Sequence, residues 1–175
     1  MKKILFVIDM QNDFVDGALG TKEAQAILPA VVDKVKAFDG RVIFTRDTHS
    51  ENYLDTQEGK KLPVVHCVRG TDGWQIVPTL DDLRLDIGAL CIDKPTFGST
   101  ALIELLQAEY GPNPDISFEL IGVCTDICVI SNALLLKAAF PEVPVTVDSS
   151  CCAGVTPESH SNALKAMAMC QIEII

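Results

Sequence analysis

Short runs of apolar, β-branched residues alternate along this chain with longer amphipathic stretches. Lys3–Ile8, Arg41–Thr45, Ala89–Ile92, Ser117–Val123, Val143–Val147 and Gln171–Ile175 read as strands, because near-continuous apolar runs between turn residues suit strands buried on both faces. Ala24–Phe38, Thr100–Glu109, Asp126–Ala139 and Pro157–Met169 carry their apolar residues at helical spacing, and Pro157 after Thr156 suits a first helical turn. The alternation of the two predicts a parallel sheet with helices on both faces, in a single domain spanning residues 1–175. Arg46–Leu85 breaks the pattern. It is long, polar and rich in Gly and Pro, and loops of that kind in compact domains are usually functional.

Composition narrows the picture. Hydrophobic residues make up 48% of the 175, which excludes disorder, and the formal net charge of -10 argues against nucleic-acid and anionic-membrane partners. The apolar run Ile4–Ile8 is too short for a signal peptide, and no segment is long enough to span a bilayer. A cytoplasmic protein is expected. Seven cysteines, with no secretion signal, are expected to be reduced, and the CxxxC spacing of Cys124 and Cys128 differs from that of redox and zinc-knuckle motifs.

The candidate chemistry gathers at strand ends. The strand Ser117–Val123 stops at Cys124-Thr125-Asp126, and a helical pattern with Ile127, Ile130, Ala133 and Leu134 on one face follows at once. Thr125 as N-cap would place Cys128 in the first helical turn, where free N–H groups and the helix dipole favour a thiolate. Asp9 and Lys94 lie just past two other strands, and ligands of open α/β sheets bind beyond the carboxyl ends of strands. Base, cation and thiol together suit amide hydrolysis by a cysteine nucleophile: Asp9 accepts the thiol proton, and Lys94 favours the thiolate and orients the carboxylate. A Cys–His dyad using His49, His66 or His160 is the competing arrangement.

These residues sit in a specific set of motifs: Ile8-Asp9-Met10-Gln11-Asn12-Asp13-Phe14, Asp47-Thr48-His49, Pro63-Val64-Val65-His66-Cys67, Lys94-Pro95-Thr96-Phe97-Gly98-Ser99, Gly122-Val123-Cys124-Thr125-Asp126-Ile127-Cys128-Val129 and Asp148-Ser149-Ser150-Cys151-Cys152-Ala153-Gly154. Over nearly its whole length the chain resembles the isochorismatase-like cysteine hydrolases, of the nicotinamidase branch. The resemblance implies a three-layer α/β/α sandwich with a six-stranded parallel sheet, of Rossmann-like type, and an Asp9–Lys94–Cys128 triad. It implies a cis peptide at Val123–Cys124 that aims the Cys124 N–H, with that of Cys128, at the developing oxyanion. It implies a thioester intermediate, release of ammonia, and a part in nicotinamide salvage.

The resemblance also implies one divalent metal ion. Asp47, His49 and His66 match three ligands; the remaining one is His in some members and Glu in others. No further His lies between His49 and His66, so Glu58 is the choice here, with Asp55 and Glu51 as rivals. Two His with carboxylates suit Zn, Mn or Fe. Phe14 and Phe97 match positions that place aromatics around the substrate ring, and Trp74 either lines the site or packs the long loop. His160 fits a family position on the last helix and is read as structural.

The leading function is therefore hydrolysis of nicotinamide to nicotinate, with a small-molecule amide as partner and a homo-oligomer left open. Amidohydrolases acting on ureido, carbamoyl or biuret-type amides are the nearest alternative, but they often lack the Asp47, His49, His66 set. Isochorismatase activity needs no thiol. A non-catalytic or thiol-redox module built on Cys124 and Cys128 is the alternative from another class, and an intact triad argues against it.

Overall fold

The computed structural model describes residues 1–111 and 115–175. Six parallel strands form one sheet: β1 (Lys2–Ile8), β2 (Arg41–Asp47), β3 (Leu90–Lys94), β4 (Ile116–Val123), β5 (Val145–Ala153) and β6 (Glu173–Ile174), in the spatial order β3-β2-β1-β4-β5-β6. The pleat of β1 shows why its apolar run is continuous. Ile4, Phe6 and Ile8 pack into one core layer and Leu5 and Val7 into the other.

Helices α5 (Thr100–Tyr110), α6 (Ile130–Ala139) and α7 (Pro157–Met169) cover the first face through Leu102, Leu106, Ala133, Leu136 and Met167. The second face is covered by α1 (Asn12–Val15), α2 (Lys22–Ala37) and α4 (Pro78–Asp86) through Phe14, Val31, Val35 and Leu80. The result is the expected α/β/α sandwich. Local chemistry sets the helix starts: Thr21, Ser99 and Thr156 each accept a hydrogen bond from a backbone N–H in the first turn that follows.

The sequence reading differs from the structure in four places. Lys94 ends β3 rather than following it, and β2 runs on to Asp47, because both residues are paired across the β2–β3 ladder. The polar Asp148-Ser149-Ser150 hides the continuation of β5 to Ala153; the β4–β5 register shifts there between Leu120 and Gly122. The stretch Arg46–Leu85 holds a 3-10 turn (Tyr53–Asp55), α3 (Gln57–Lys61) and α4 rather than structureless loop. Finally, α6 is preceded by a π-type turn, Thr125–Val129, whose N-cap position falls on Cys124 and not on Thr125.

The order in which strands are added reverses between β1 and β4, and the crevice beyond their carboxyl ends is where this architecture places ligands. Gly122 lets the two strands meet closely there. It has φ +116°, and a Cβ would lie 2.1 Å from the Ile8 carbonyl oxygen. Gly122→Ala combines overpacking with a left-handed strain and should lower stability by at least ~2 kcal/mol. An unchanged urea midpoint for that variant would show that the strands do not need this approach.

Candidate active site

Three strand ends converge in the crevice. Asp9 leaves β1 with a left-handed backbone, φ 48°, an uncommon conformation outside glycine that turns its carboxylate inward. Its Oδ1 accepts the Thr45 hydroxyl at 2.6 Å, and its N–H donates to the Thr45 Oγ1 at 3.3 Å. Lys94 is wholly buried, with Nζ 2.6 Å from Asp9 Oδ2 and 3.8 Å from Asp47 Oδ1. The same ammonium donates to the Thr96 carbonyl at 3.1 Å and lies 3.5 Å from Cys128 Sγ. Cys128, 5% exposed, sits in the π-type turn, and the Val123–Cys124 peptide before it is cis.

Burial changes the electrostatic balance around the thiol. Burial, with Asp9 beside it, pushes the Cys128 thiol well above its ordinary range, and the opposing pull of Lys94 does not prevail. That direction favours the protonated thiol, the form from which Asp9 is expected to accept a proton, against the thiolate preference of a helix start and a lysine. Burial likewise raises the Asp9 carboxyl against the pull of Lys94, which increases its appetite for a proton. Desolvation would lower Lys94, but Asp9, Cys128 and Asp47 outweigh it and keep the ammonium charged. The set can therefore hold Asp9 as a carboxylate, Lys94 as its counter-ion and Cys128 as the proton donor.

A second cluster adjoins the first through Asp47. One ligand-type atom each from Asp47, His49, Glu58 and His66 lies within 4.8 Å of the others. Asp47 Oδ2 is 3.0 Å from His49 Nε2 and 3.6 Å from His66 Nε2; Glu58 Oε1 is 3.6 and 3.8 Å from the same nitrogens. Ligands ~2.1 Å from a tetrahedral ion stand about 3.4 Å apart, so these spacings fit a metal. The His66 Nδ1–H donates to the Val64 carbonyl at 2.7 Å, which leaves the Nε2 lone pair for the cluster. Asp47 Oδ1 and His49 Nε2 are buried without a hydrogen bond from any described residue. Burial pushes the Asp47 carboxyl up, yet the adjacent His49 and His66 imidazoles and the Lys94 charge bring it well below the usual range. Glu58 is raised by burial and by Asp47, and a cation between the two carboxylates would relieve that repulsion. Of the three candidate carboxylates, Glu58 joins the cluster; Glu51 and Asp55 are exposed.

The aromatic candidates fare differently. Phe14 packs edge-on against His66, with ring centroids 5.5 Å apart, and so borders the cluster. Phe97 is 41% exposed on the loop after Lys94. Trp74 packs the long loop: Arg46 stacks 3.6 Å from its ring centroid, and its Nε1–H donates to Thr48 Oγ1 at 2.8 Å. No histidine serves Cys128 among the described residues. His49 and His66 belong to the metal-type cluster, and His160 Nδ1 is 2.8 Å from Thr125 Oγ1.

Four supporting residues were not singled out from the sequence. Gln11 brackets the Asp47 backbone, accepting its N–H at 2.7 Å and donating to its carbonyl at 2.8 Å. Asp13 accepts the Cys67 N–H at 2.7 Å and so anchors the segment after His66. Tyr53 is buried against both His49 and His66, with centroids 4.6 and 4.9 Å away. Asn132 donates to the Phe97 and Cys128 carbonyls at 3.1 and 2.8 Å and accepts the Ser99 N–H at 3.0 Å, which joins the Lys94 loop to the Cys128 turn. A polar residue inside the apolar stripe of α6 was the available signal for Asn132. Tyr53 had none.

Comparison with known proteins agrees with this geometry. The profile described as "Isochorismatase domain" matches residues 3–175. The nicotinamidase/pyrazinamidase of Mycobacterium tuberculosis is 27% identical, over 99% of this chain and 98% of its own. The crystal structure of a pyrazinamidase/nicotinamidase from Streptococcus mutans superposes with a TM-score of 0.85 at 29% identity, covering 99% of this chain and 100% of that one. A pyrazinamidase of Pyrococcus horikoshii, solved in complex with zinc, superposes with a TM-score of 0.81 at 27% identity, covering 100% of this chain and 99% of that one. With the profile matched from the first strand to the last residue, the chain belongs to the isochorismatase family.

Proposed function

We propose that this chain is a cysteine amidohydrolase that converts nicotinamide and water to nicotinate and ammonia, within one domain, in the cytoplasm, where its seven free thiols would stay reduced. One observation carries the reading: Cys128, Lys94 and Asp9 form a buried chain of contacts that Asp47 links directly to a four-ligand cluster. A reacting thiol beside a ring anchor suits a heteroaromatic amide. The M. tuberculosis and S. mutans relatives bear nicotinamidase names, which supports the same substrate.

In the proposed reaction Asp9 takes the proton from Cys128 Sγ as the carboxamide arrives. The thiolate attacks the carbonyl carbon, a C–S bond forms, and the oxyanion is held by the N–H groups of Cys124 and Cys128. Asp9 returns the proton to the leaving nitrogen, the C–N bond breaks, and ammonia departs from a thioester. Asp9 then takes a proton from water, the water oxygen bonds to the acyl carbon, the C–S bond breaks to free nicotinate, and Asp9 returns the proton to Cys128 Sγ. Lys94 stays charged throughout, balancing Asp9 and the transient thiolate. Phe14 and Phe97 would flank the ring. A divalent ion, Zn, Mn or Fe, held by Asp47, His49, Glu58 and His66 would supply a Lewis-acid anchor for the pyridine nitrogen.

Three experiments test this. Cys128→Ala should abolish turnover without altering the circular dichroism spectrum, whereas Cys124→Ala, which keeps its backbone N–H, should be milder; turnover in Cys128→Ala equal to wild type removes the nucleophile. Asp9→Asn should cost at least ~10²-fold in kcat. Because Asp9 raises the thiol and Lys94 lowers it, the pH at which iodoacetamide labelling of Cys128 accelerates should fall in Asp9→Asn and rise in Lys94→Ala. Unshifted labelling profiles would contradict the electrostatic roles. Chelation or His49→Ala should weaken nicotinamide binding while Cys128 still alkylates, and benzamide, which lacks the ring nitrogen, should be a poor substrate. Metal-free purified protein that cleaves benzamide as well as nicotinamide would replace this reading with a broader amidohydrolase.

A further inference from the structure

The turn that carries Cys128 is tied to a distant corner of the fold by two bonds that the reaction scheme leaves unused. Thr125 is fully buried, and its hydroxyl lies 2.8 Å from His160 Nδ1. Its neighbour Asp126 accepts the Val155 N–H on both carboxylate oxygens, at 3.1 and 3.3 Å. Both partners belong to the corner where β5 passes into α7. That corner is stiff. Thr156 and Ser159 form a reciprocal capping box, Pro157 opens the helix, and Gly154 packs so closely that a Cβ would lie 2.9 Å from the His160 Cβ and N. Burial holds the His160 imidazole below its ordinary range, so it is neutral near pH 7 and able to share one proton with the Thr125 hydroxyl.

Position makes this arrangement informative. Thr125 lies between Cys124 and Cys128, whose N–H groups are the proposed oxyanion donors. The far end of the turn is fixed independently, by Asn132 on the Cys128 carbonyl. The Cys124 carbonyl already accepts the N–H groups of Ile127 and Val129. The remaining freedom is at the Thr125 end, where His160 and Val155 hold it.

We infer that His160 is a positioning residue for the reaction: its hydrogen bond to Thr125, with the Asp126–Val155 bond as a second point, sets the orientation of the Cys124–Cys128 turn toward the oxyanion. The inference rests on the nucleophile reading above. Its consequence is selective. Donors that are misaimed lose strength where negative charge develops, in the transition state, and matter little to a ring bound elsewhere in the site.

The test uses the full-length, metal-loaded protein and the variants His160→Ala, His160→Asn, Thr125→Val and the His160→Ala/Thr125→Val double mutant. Nicotinamide kinetics are read beside inhibition by pyridine-3-carbaldehyde. That aldehyde adds the Cys128 sulfur to its carbonyl carbon, and the carbonyl oxygen takes up the thiol proton, so a tetrahedral adduct occupies the oxyanion position. His160→Ala should lower kcat about 10- to 100-fold and weaken the aldehyde in parallel, with KM within about threefold of wild type. Iodoacetamide labelling of Cys128, which develops no oxyanion, should stay within about twofold. His160→Asn, whose amide can reach Thr125 as Nδ1 does, should recover most of the loss. Thr125→Val should match His160→Ala, and the double mutant should add little. A His160→Ala or Thr125→Val enzyme with wild-type kcat, additive losses in the double mutant, or no recovery in His160→Asn would each overturn the inference. If His160→Ala fails to fold, His160→Asn and Thr125→Val decide it on the same criteria. Failure of the nucleophile reading shows elsewhere, as a wild-type protein that releases no ammonia or a Cys128→Ala variant that does.

Discussion

A fully buried lysine is the constraint around which this molecule is arranged. Removing an ammonium from water is costly, and Lys94 is tolerated because Asp9 lies 2.6 Å away and Asp47 shares the charge from 3.8 Å. These contacts pull together the ends of β1, β2 and β3, so the electrostatic need of one side chain fixes the floor of the crevice. The same need sets the proton inventory. Burial, with Asp9 beside it, pushes the Cys128 thiol upward, and the Lys94 ammonium is shared with the two carboxylates. A thiol pushed upward beside a carboxyl of raised proton affinity suits the proposed reaction, in which the nucleophile is activated when substrate arrives.

Side chains that never face the crevice carry much of its precision. Gln11 and Asp13 look like polar decoration at the end of an apolar strand. In the fold they hydrogen-bond backbone groups beside two cluster ligands, Asp47 and His66. Tyr53 does the same by packing, since its ring bears on both imidazoles at once. Gly59 allows this: α3 rests so tightly on the preceding 3-10 turn that a Cβ there would lie 2.1 Å from the Tyr53 carbonyl oxygen. A cluster of four ligands on a polar loop thus gains the rigidity that loops ordinarily lack.

The Cys128 turn follows the same logic on the other core face. Its ends are held by Asn132 and by the β5–α7 corner, and its carbonyl groups are engaged through the π-type turn. Stiffness on both sides of a reacting atom matters because misplacement by about 1 Å can cost on the order of 10²-fold in rate. Both the Gly- and Pro-rich stretch and the strand-to-helix junction are held by side-chain hydrogen bonds to residues distant in sequence.

The sequence by itself determined the layers and named the side chains that meet in the crevice. Near-continuous apolar runs separated by amphipathic stretches permit little besides a parallel sheet covered on both faces. Motifs such as Asp9-Met10-Gln11-Asn12-Asp13-Phe14 marked Asp9, Lys94, Cys128 and the Asp47, His49, His66 set as residues to be brought together. Glu58 was legible as the first choice among three carboxylates. What the tertiary structure decided is whatever depends on neighbours distant in sequence. It extended β5 through Asp148-Ser149-Ser150, because β4 supplies a partner that polar residues do not advertise. It selected Glu58, because the cap at Thr56 starts α3 at Gln57 and turns the next residue toward the histidines. It moved Trp74 onto Arg46 and Thr48, and Thr125 from a helix cap to a bond with His160. It also set the balance at Cys128, because local pattern reveals a helix start and a lysine but not the burial and the nearby Asp9 that push the thiol upward. Periodicity and motif are local properties of a chain; desolvation, register and charge sharing exist only once the strands are side by side.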